Sequence, residues 1–181
     1  MVIVKIKKIA IAVIGAASLG AVAIGVPAAS AAQSTPPRAT TADLRVWLGI
    51  PGDGTAGSTY YQLEFSNISG HAVTIRGYPG VSAINADGQL GSPADWDHTT
   101  STQTVTLAKG ATAHTVLRIA DVGVFGDVKT ATASALRIYP PNQKTSTEIG
   151  YSFEALAVKG PIYMWVVGPI RAGTGIPQFS N

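Results

Sequence analysis

The densest group of side chains able to do chemistry is Asp95-Trp96-Asp97-His98. Two carboxylates and an imidazole are groups that can bind a divalent metal ion. Ligands spaced one residue apart in a loop, however, provide no template for tetrahedral or octahedral coordination. We therefore predict no metal site here and interpret the segment as a solvated loop in which Trp96 packs against a sheet.

The other residues that could take part in catalysis are scattered. His71 and His114 have no recognisable partner in the sequence, so we expect both on the surface. Glu64, Glu148 and Glu154 fall on separate predicted strands or edges, whereas a glycosidase needs two carboxyl groups within about 5–10 Å. The sequence lacks the nucleophile-elbow, zinc-protease and phosphate-loop motifs. We predict no catalytic residue and no cofactor, although a Ser-His-Asp triad assembled only by folding stays open.

Aromatic side chains offer a different kind of site, a binding surface. Trp47 and Tyr60 fall on the faces opposite the aliphatic residues of their strands, and Tyr163 shares a face with Trp165. Exposed aromatic rings can stack on sugar rings or bury apolar area against a protein partner. We predict that these four residues form a candidate binding surface. The alternative is that a second sheet or neighbouring loops cover the rings.

Alternation of apolar and polar side chains predicts the elements that would position these groups. Every second side chain is apolar, which is the period of a half-buried strand. The intervening segments are rich in Gly, Pro, Asn and Asp, which favour turns. Many short strands at this spacing predict an all-β fold, an antiparallel β-sandwich. The alternating segments are residues 43–48, 60–65, 104–107, 113–119 and 136–138.

Residues 161–170 form the last strongly apolar segment. Alternation places Met164 and Val166 on one face and Tyr163 and Trp165 on the other. Such a strand is either covered on both sides or exposes an apolar surface that binds a partner. We favour cover on both sides.

The N-terminal residues are typical of a secretory signal. Residues 1–8 carry three lysines and no acid, residues 9–26 are uncharged and apolar, and residues 29–31 are small. We predict cleavage after Ala31 or Ala32. An uncleaved membrane anchor is the alternative, because the apolar run of 18 residues is at the lower limit for spanning a bilayer. The predicted organisation is a signal peptide at 1–31, a Pro- and Thr-containing linker at 32–42 and a single β-sandwich domain at 43–181.

The charge of the whole chain is misleading about partners. The formal net charge is +3, but three of the 13 Lys and Arg residues lie in the predicted signal and none of the 10 Asp and Glu do. The residues after the signal therefore carry no net charge, and we predict no nucleic-acid partner. Since the chain has no cysteine, packing rather than disulfides must hold the domain together.

Five segments carry motifs in a recognisable order: residues 52–67, a Gly-Tyr-Pro-Gly-Val sequence at 77–81, and residues 89–94, 105–117 and 136–141. Together they resemble the family called domain of unknown function 4232, over a span from about Leu44 to Gly168. The resemblance implies an immunoglobulin-like sandwich in a secreted or membrane-tethered protein of Gram-positive, mostly actinobacterial, cells. It implies no mechanism, because the biochemical role of the family is not established.

Cysteines are the main departure from the family that the chain resembles. Relatives usually carry cysteines near the positions of Val73, Val128 and Leu156, and another just before the first strand. Losing a disulfide costs about 2–5 kcal/mol in a small domain, and burying a Val or Leu side chain contributes roughly 1.5–3 kcal/mol. If those cysteines pair in relatives, apolar packing replaces disulfides in this chain.

These observations predict a non-enzymatic domain that works outside the cytoplasm, either secreted or loosely associated with the cell wall. Its role would be binding or structural, with cell-wall polysaccharide or an envelope or host protein as the candidate partner. Contact with a membrane is expected only through the signal before cleavage. The alternative is an extracellular hydrolase acting on cell-wall polymers. Such an enzyme needs a cleft where titratable groups converge, whereas a binding protein can present a flat aromatic surface.

Overall fold

The computed structural model describes residues 34–51, 54 and 57–175 of the chain. The predicted signal peptide and the first two residues of the predicted linker lie outside these residues. Within the described part, none of the helices is long and apolar enough to cross a membrane. The 3₁₀ helices are Thr41–Asp43 and Val122–Phe125. The strands are β1 (Leu44–Pro51), β2 (Ser58–Asn67), β3 (Val73–Ile75), β4 (Gly80–Asn85), β5 (Gly88–Leu90), β6 (Asp95–Trp96), β7 (Val105–Leu107), β8 (Thr112–Ala120), β9 (Thr130–Tyr139), β10 (Thr147–Leu156) and β11 (Met164–Ala172).

The described strands pair into two main sheets and one short ribbon. The large sheet has the order β1-β2-β8-β11-β6, the small sheet has the order β10-β9-β4-β5, and β3 pairs with β7. Among these described pairs, β11 with β6 is parallel and the others are antiparallel. The structure therefore confirms the predicted all-β fold, with antiparallel sheets packed as a sandwich.

Alternation along the central strands decides which side chains the two sheets bury. In β2 the side chains of Tyr61, Leu63 and Phe65 enter the core, where β8 contributes Leu117 and β9 contributes Leu136. Each of the last four is 0% exposed. Because burying one such side chain contributes roughly 1.5–3 kcal/mol, this apolar layer stabilises a chain that has no cysteine.

The positions where the resembled family usually has cysteines belong to the same core. Val73 is 0% exposed and Leu156 is 2% exposed. Val128 is partly buried and packs against the core residues. The side chains at these three positions therefore pack in or against the apolar core, as expected if packing takes the place of disulfides.

The turn after β2 is organised by the buried side chain of Asn67. Its Nδ2 donates to the carbonyl oxygens of His71, Leu107 and Ala108 at 2.9–3.1 Å. Its Oδ1 accepts from both the backbone N–H and the hydroxyl of Ser69. Burial of this amide is tolerated because its donors and its acceptor have partners.

Part of the segment expected to be a linker is attached to the domain. Arg38 forms a parallel bridge with Thr74 of β3. Ala39 is buried, its N–H donates to the Thr74 carbonyl at 2.8 Å, and its carbonyl accepts from Gln143 Nε2 at 2.9 Å. Sequence composition did not reveal this contact, because two Pro residues and several Thr residues suit an extended edge segment as well as a free linker.

The last strand, β11, is buried on one face only. Met164 and Val166 are 0% exposed, whereas Trp165 and Val167 are partly exposed. The expectation that both faces are covered is therefore wrong. The partly exposed side belongs to the outer face of the large sheet.

Tyr163 does not belong to the candidate binding surface, so this part of the prediction is wrong. Its side chain is 0% exposed and its hydroxyl donates to the carbonyl of Leu90 at 3.3 Å. Its ring packs against Gly91, where a Cβ atom would lie 2.7 Å from the ring. The alternation used to place Tyr163 beside Trp165 fails because the strand begins only at Met164.

We expect Tyr163→Phe to change how stability depends on pH. Burial raises the pKa of the Tyr163 phenol well above its usual value of about 10. The unfolded chain releases the Tyr163 proton at a lower pH than the folded protein does. The stability that the buried phenol contributes is therefore complete below pH ~10 and is lost as the pH rises further. Urea unfolding from about pH 8 to about pH 11 should show a steeper loss of unfolding free energy in the wild type than in the variant.

The comparison of slopes removes the effect of lysines, which titrate alike in both proteins. At neutral pH the variant should lose only about 0.5–1.5 kcal/mol, the contribution of one hydrogen bond. Parallel pH profiles for the two proteins would show that the Tyr163 hydroxyl is not held protonated by burial.

Candidate functional site

The outer face of the large sheet carries a row of four side chains from four strands. Tyr60 of β2 lies opposite Arg118 of β8 in the register of the sheet. Arg118 in turn lies opposite Trp165 of β11, and Trp165 lies opposite Asp95 of β6. Neighbouring strands are about 4.8 Å apart, so the row spans roughly 14 Å. We call these four residues the outer strip.

Arg118, at the centre of the outer strip, is positioned by residues of both neighbouring strands. Its Cζ atom lies 4.6 Å from the centroid of the Trp165 ring. Its Nε donates to the hydroxyl of Ser58 at 3.0 Å. The described residues provide no hydrogen-bond acceptor for its two terminal nitrogens, whose donors are therefore available to a ligand.

The outer strip is open enough to contact a ligand. Tyr60, Arg118 and Trp165 are partly exposed, and Asp95 is exposed. The arrangement offers two aromatic rings, a guanidinium with free donors that lies against the Trp165 ring, and a carboxylate acceptor at one end. This combination can bind a flat molecule that has an apolar face and a polar rim.

Trp47 lies on the same face of the large sheet but away from the outer strip. It is opposite Glu64, which is four residues along β2 from Tyr60, or roughly 13 Å. Its Nε1 donates to the hydroxyl of Ser66 at 3.1 Å, and its ring lines two open cavities of about 410 and 470 Å³. Of the four aromatic residues predicted to form a surface, the structure therefore brings together only Tyr60 and Trp165.

A short C-terminal segment, residues 173–175, lies on this face beside the outer strip. The Gly173 carbonyl lies 2.8 Å from Nδ1 of His114. The Thr174 hydroxyl and the Gly175 N–H both donate to Oε1 of Glu64, at 3.1 and 2.8 Å. Glu64 is 0% exposed as a result of the packing around it, although strand alternation places it on the outer face.

Gly175 packs closely on β2 and β8. A Cβ atom at this position would lie 2.2 Å from Oε1 of Gln62 and 2.9 Å from Cδ2 of His114. A side chain at this position would therefore require Gln62 and His114 to move. The segment therefore removes Glu64 from the surface that a ligand could contact.

The segment at residues 95–98, which begins with β6, is arranged around Tyr78, which belongs to the Gly-Tyr-Pro-Gly-Val sequence. Trp96 stacks on the Tyr78 ring at a centroid distance of 5.8 Å, and its Nε1 donates to the carbonyl of Pro79. The Tyr78 hydroxyl donates to the carbonyls of Asp97 and Thr100 at 2.6 and 3.1 Å. Asp95 and Trp96 form β6, so the prediction of a solvated loop is wrong for these two residues, and 41% of the Trp96 surface is exposed.

The carboxylate of Asp97 is bound within its own loop. Side-chain and backbone hydrogen bonds from Thr99 hold the pKa of Asp97 below its usual value. Within residues 34–51, 54 and 57–175, no group of three or more His, Asp or Glu side chains is arranged to hold a metal ion.

The remaining titratable candidates lie apart from one another. Glu148 forms an ion pair with Arg137 at 3.1 Å, and Glu154 accepts from the hydroxyl of Thr130 at 2.7 Å. These two glutamates share β10 rather than separate strands, and six residues of strand separate them by roughly 20 Å. That distance exceeds the spacing of a glycosidase pair. His71 is exposed, as predicted.

Sequence reasoning missed Arg118 and Asp95 as members of the site. Alternation already placed Arg118 on the polar face of its strand, next to His114 and Val116 in the same pattern. Its position between two aromatic rings depends on the register of three strands, which the sequence pattern does not specify.

We expect Tyr78→Phe to loosen the loop at residues 95–100 without changing the fold. The variant loses the hydroxyl that donates to two backbone carbonyls, which should cost about 1–3 kcal/mol of unfolding free energy. Urea unfolding and amide hydrogen exchange of the loop would measure the effect.

Tyr60→Phe is the matched control, because the described residues offer no hydrogen-bond partner to the Tyr60 hydroxyl. Its unfolding free energy should stay within about 0.5 kcal/mol of the wild type. Equal effects of the two substitutions would contradict the assigned role of Tyr78.

Comparison with known proteins assigns the chain to a family over a range that includes the motif containing Tyr78. No curated protein and no solved structure matches the chain. The model of the family described as domain of unknown function (DUF4232) matches residues 39–161. The match includes Tyr60, Asp95 and Arg118 and ends just before β11, which carries Trp165. Because the match covers well over half of the sequence, the chain belongs to the DUF4232 family.

Proposed function

We propose that this protein is an exported, non-enzymatic domain that binds polysaccharide of the cell envelope through the outer strip. The observation that carries the proposal is the row Tyr60–Arg118–Trp165–Asp95, which aligns two aromatic rings with a cation and a carboxylate across one sheet. The N-terminal pattern of a basic segment, an apolar run and small residues supports export.

The composition of the outer strip suits a sugar. One face of a sugar ring carries C–H groups that can pack on an aromatic ring, whereas its rim carries hydroxyls that need donors and acceptors. Tyr60 and Trp165 supply the rings, Arg118 supplies donors, and Asp95 supplies an acceptor. The part of the outer face that residues 173–175 leave open can also contact successive units of an extended polymer.

A protein partner is less well supported by this face. Stable protein interfaces bury about 800 Å² on each partner around an apolar centre. Of the four large hydrophobic residues that are most exposed within the described part, only Trp96 belongs to a strand of the large sheet, where it follows Asp95 in β6. The four residues are Ile68, Trp96, Val124 and Val158.

A hydrolase acting on wall polymers has no comparable support. Its pair of carboxylates would have to face a common cleft. Among the described residues Glu64 is buried, Glu148 is paired with Arg137, and Glu154 is bound to Thr130. We therefore assign the strip to binding rather than to catalysis.

We expect the purified wild-type protein to sediment with purified cell walls. Trp165→Ala should weaken this binding. The lost ring contacts both the ligand and Arg118, so the apparent affinity should fall at least ~10-fold, or about 1.4 kcal/mol. Bound and free protein are measured after centrifugation over a range of wall concentrations.

Trp47→Ala is the matched control, since it removes the same side chain from the same sheet face outside the strip. Its binding should stay within about twofold of the wild type, provided that circular dichroism shows both variants folded. The proposal fails if the wild type stays in the supernatant, or if Trp47→Ala alone abolishes sedimentation.

A further inference from the structure

The residues after the predicted signal have no net charge, but their charged side chains are unevenly distributed over the surface. Three arginines, Arg45, Arg118 and Arg171, lie on the outer face of the large sheet. The described acids on the strands of that face are Glu64 and Asp95, and Glu64 is 0% exposed beneath residues 173–175. On the described strands of this face, three cations therefore accompany one accessible carboxylate.

None of these three arginines forms an ion pair with the described residues. The ion pair that the described part contains, Arg137 with Glu148, lies on the small sheet. Arg45 and Arg171 are exposed and Arg118 is partly exposed. An unpaired guanidinium attracts anions and can bind a carboxylate or a phosphate with two parallel hydrogen bonds.

The spacing of the cations distinguishes a polymer from a small anion. Arg171 lies opposite His114, which is four residues along β8 from Arg118. The two arginines are therefore roughly 14 Å apart, and Arg45 lies three strands across the sheet from Arg171. A small anion would need several donors around one point, whereas cations separated in this way suit charges repeated along a chain.

We infer that the polysaccharide bound by this face is acidic, with Arg118 binding the carboxylate or phosphate of one unit between the Tyr60 and Trp165 rings. Arg171 binds an acidic group further along the same polymer. The inference rests on the proposed function and narrows its ligand class. Asp95, at the end of the strip, accepts hydrogen bonds from sugar hydroxyls and disfavours a second acidic group at that end.

Polymers that share a backbone but differ in their charged groups provide the test. Polygalacturonate and its fully methyl-esterified form share a backbone but differ in carboxylates, and phosphorylated dextran differs from dextran in phosphates. We expect isothermal titration calorimetry to show at least ~10-fold tighter binding to one acidic member than to its neutral counterpart. The pair of polymers that shows the larger difference in affinity indicates whether the bound group is a carboxylate or a phosphate. Binding should weaken as sodium chloride is raised, because salt screens exposed charges.

Two variants locate the effect. Arg171→Gln should weaken binding to the acidic polymer several-fold with little change for the neutral one, and Arg118→Gln should weaken binding to both polymers but to the acidic one more strongly. Arg137→Gln, which removes a cation from the small sheet, is the control and should bind like the wild type.

Three results would overturn the inference. Equal, salt-independent binding to acidic and neutral polymers would contradict an acidic ligand but would still support polysaccharide binding. No binding to these polymers or to cell walls would overturn the proposed function as well. Equal binding to single-stranded DNA of matched charge would show a general affinity for polyanions rather than for acidic sugars.

Discussion

The pairing of β2 with β8 is the interaction on which both faces of the large sheet depend. The two strands are in register over nine residue pairs, from Ser58 opposite Ala120 to Ser66 opposite Thr112. Because successive side chains alternate between faces, this register places Tyr61 and Leu117 in the core and Tyr60 and Arg118 on the outside. A slip of one residue would exchange the two sets.

The two faces of the large sheet have different roles, although the same strands form both. The inner face is apolar and stabilises a chain that has no cysteine and therefore no disulfide. The outer face keeps its arginines without ion pairs in the described part, while residues 173–175 cover the carboxylate of Glu64. Stability and the proposed recognition of an anion are therefore carried by alternate residues of the same strands.

Much of the fold follows from local patterns, and little of the site does. Period-2 alternation located β1, β2, β7, β8 and β9, since each has one apolar side. It did not single out β10, in which most side chains are exposed or only partly buried and Gly150 interrupts the pattern. It misplaced Tyr163, because alternation holds only within a pleated strand and Tyr163 precedes one.

The outer strip required information that no local pattern contains. Outward positions for Tyr60 and Trp165 follow from their own strands, but their placement on either side of Arg118 is set by two separate strand registers. The burial of Glu64 likewise depends on a segment 110 residues away along the chain. Contacts of this kind follow from folding, so the sequence alone predicted aromatic residues on a surface without their arrangement.

The three tryptophans of the chain make the central claim directly measurable. Each indole N–H gives its own signal in a ¹⁵N–¹H spectrum, and the three lie in different places: Trp165 in the outer strip, Trp47 against Ser66, and Trp96 on Tyr78. On titration with fragments of an acidic polysaccharide, binding at the outer strip should shift the Trp165 signal with ligand concentration while the other two signals stay in place. Shifts confined to Trp47 or Trp96 would contradict it.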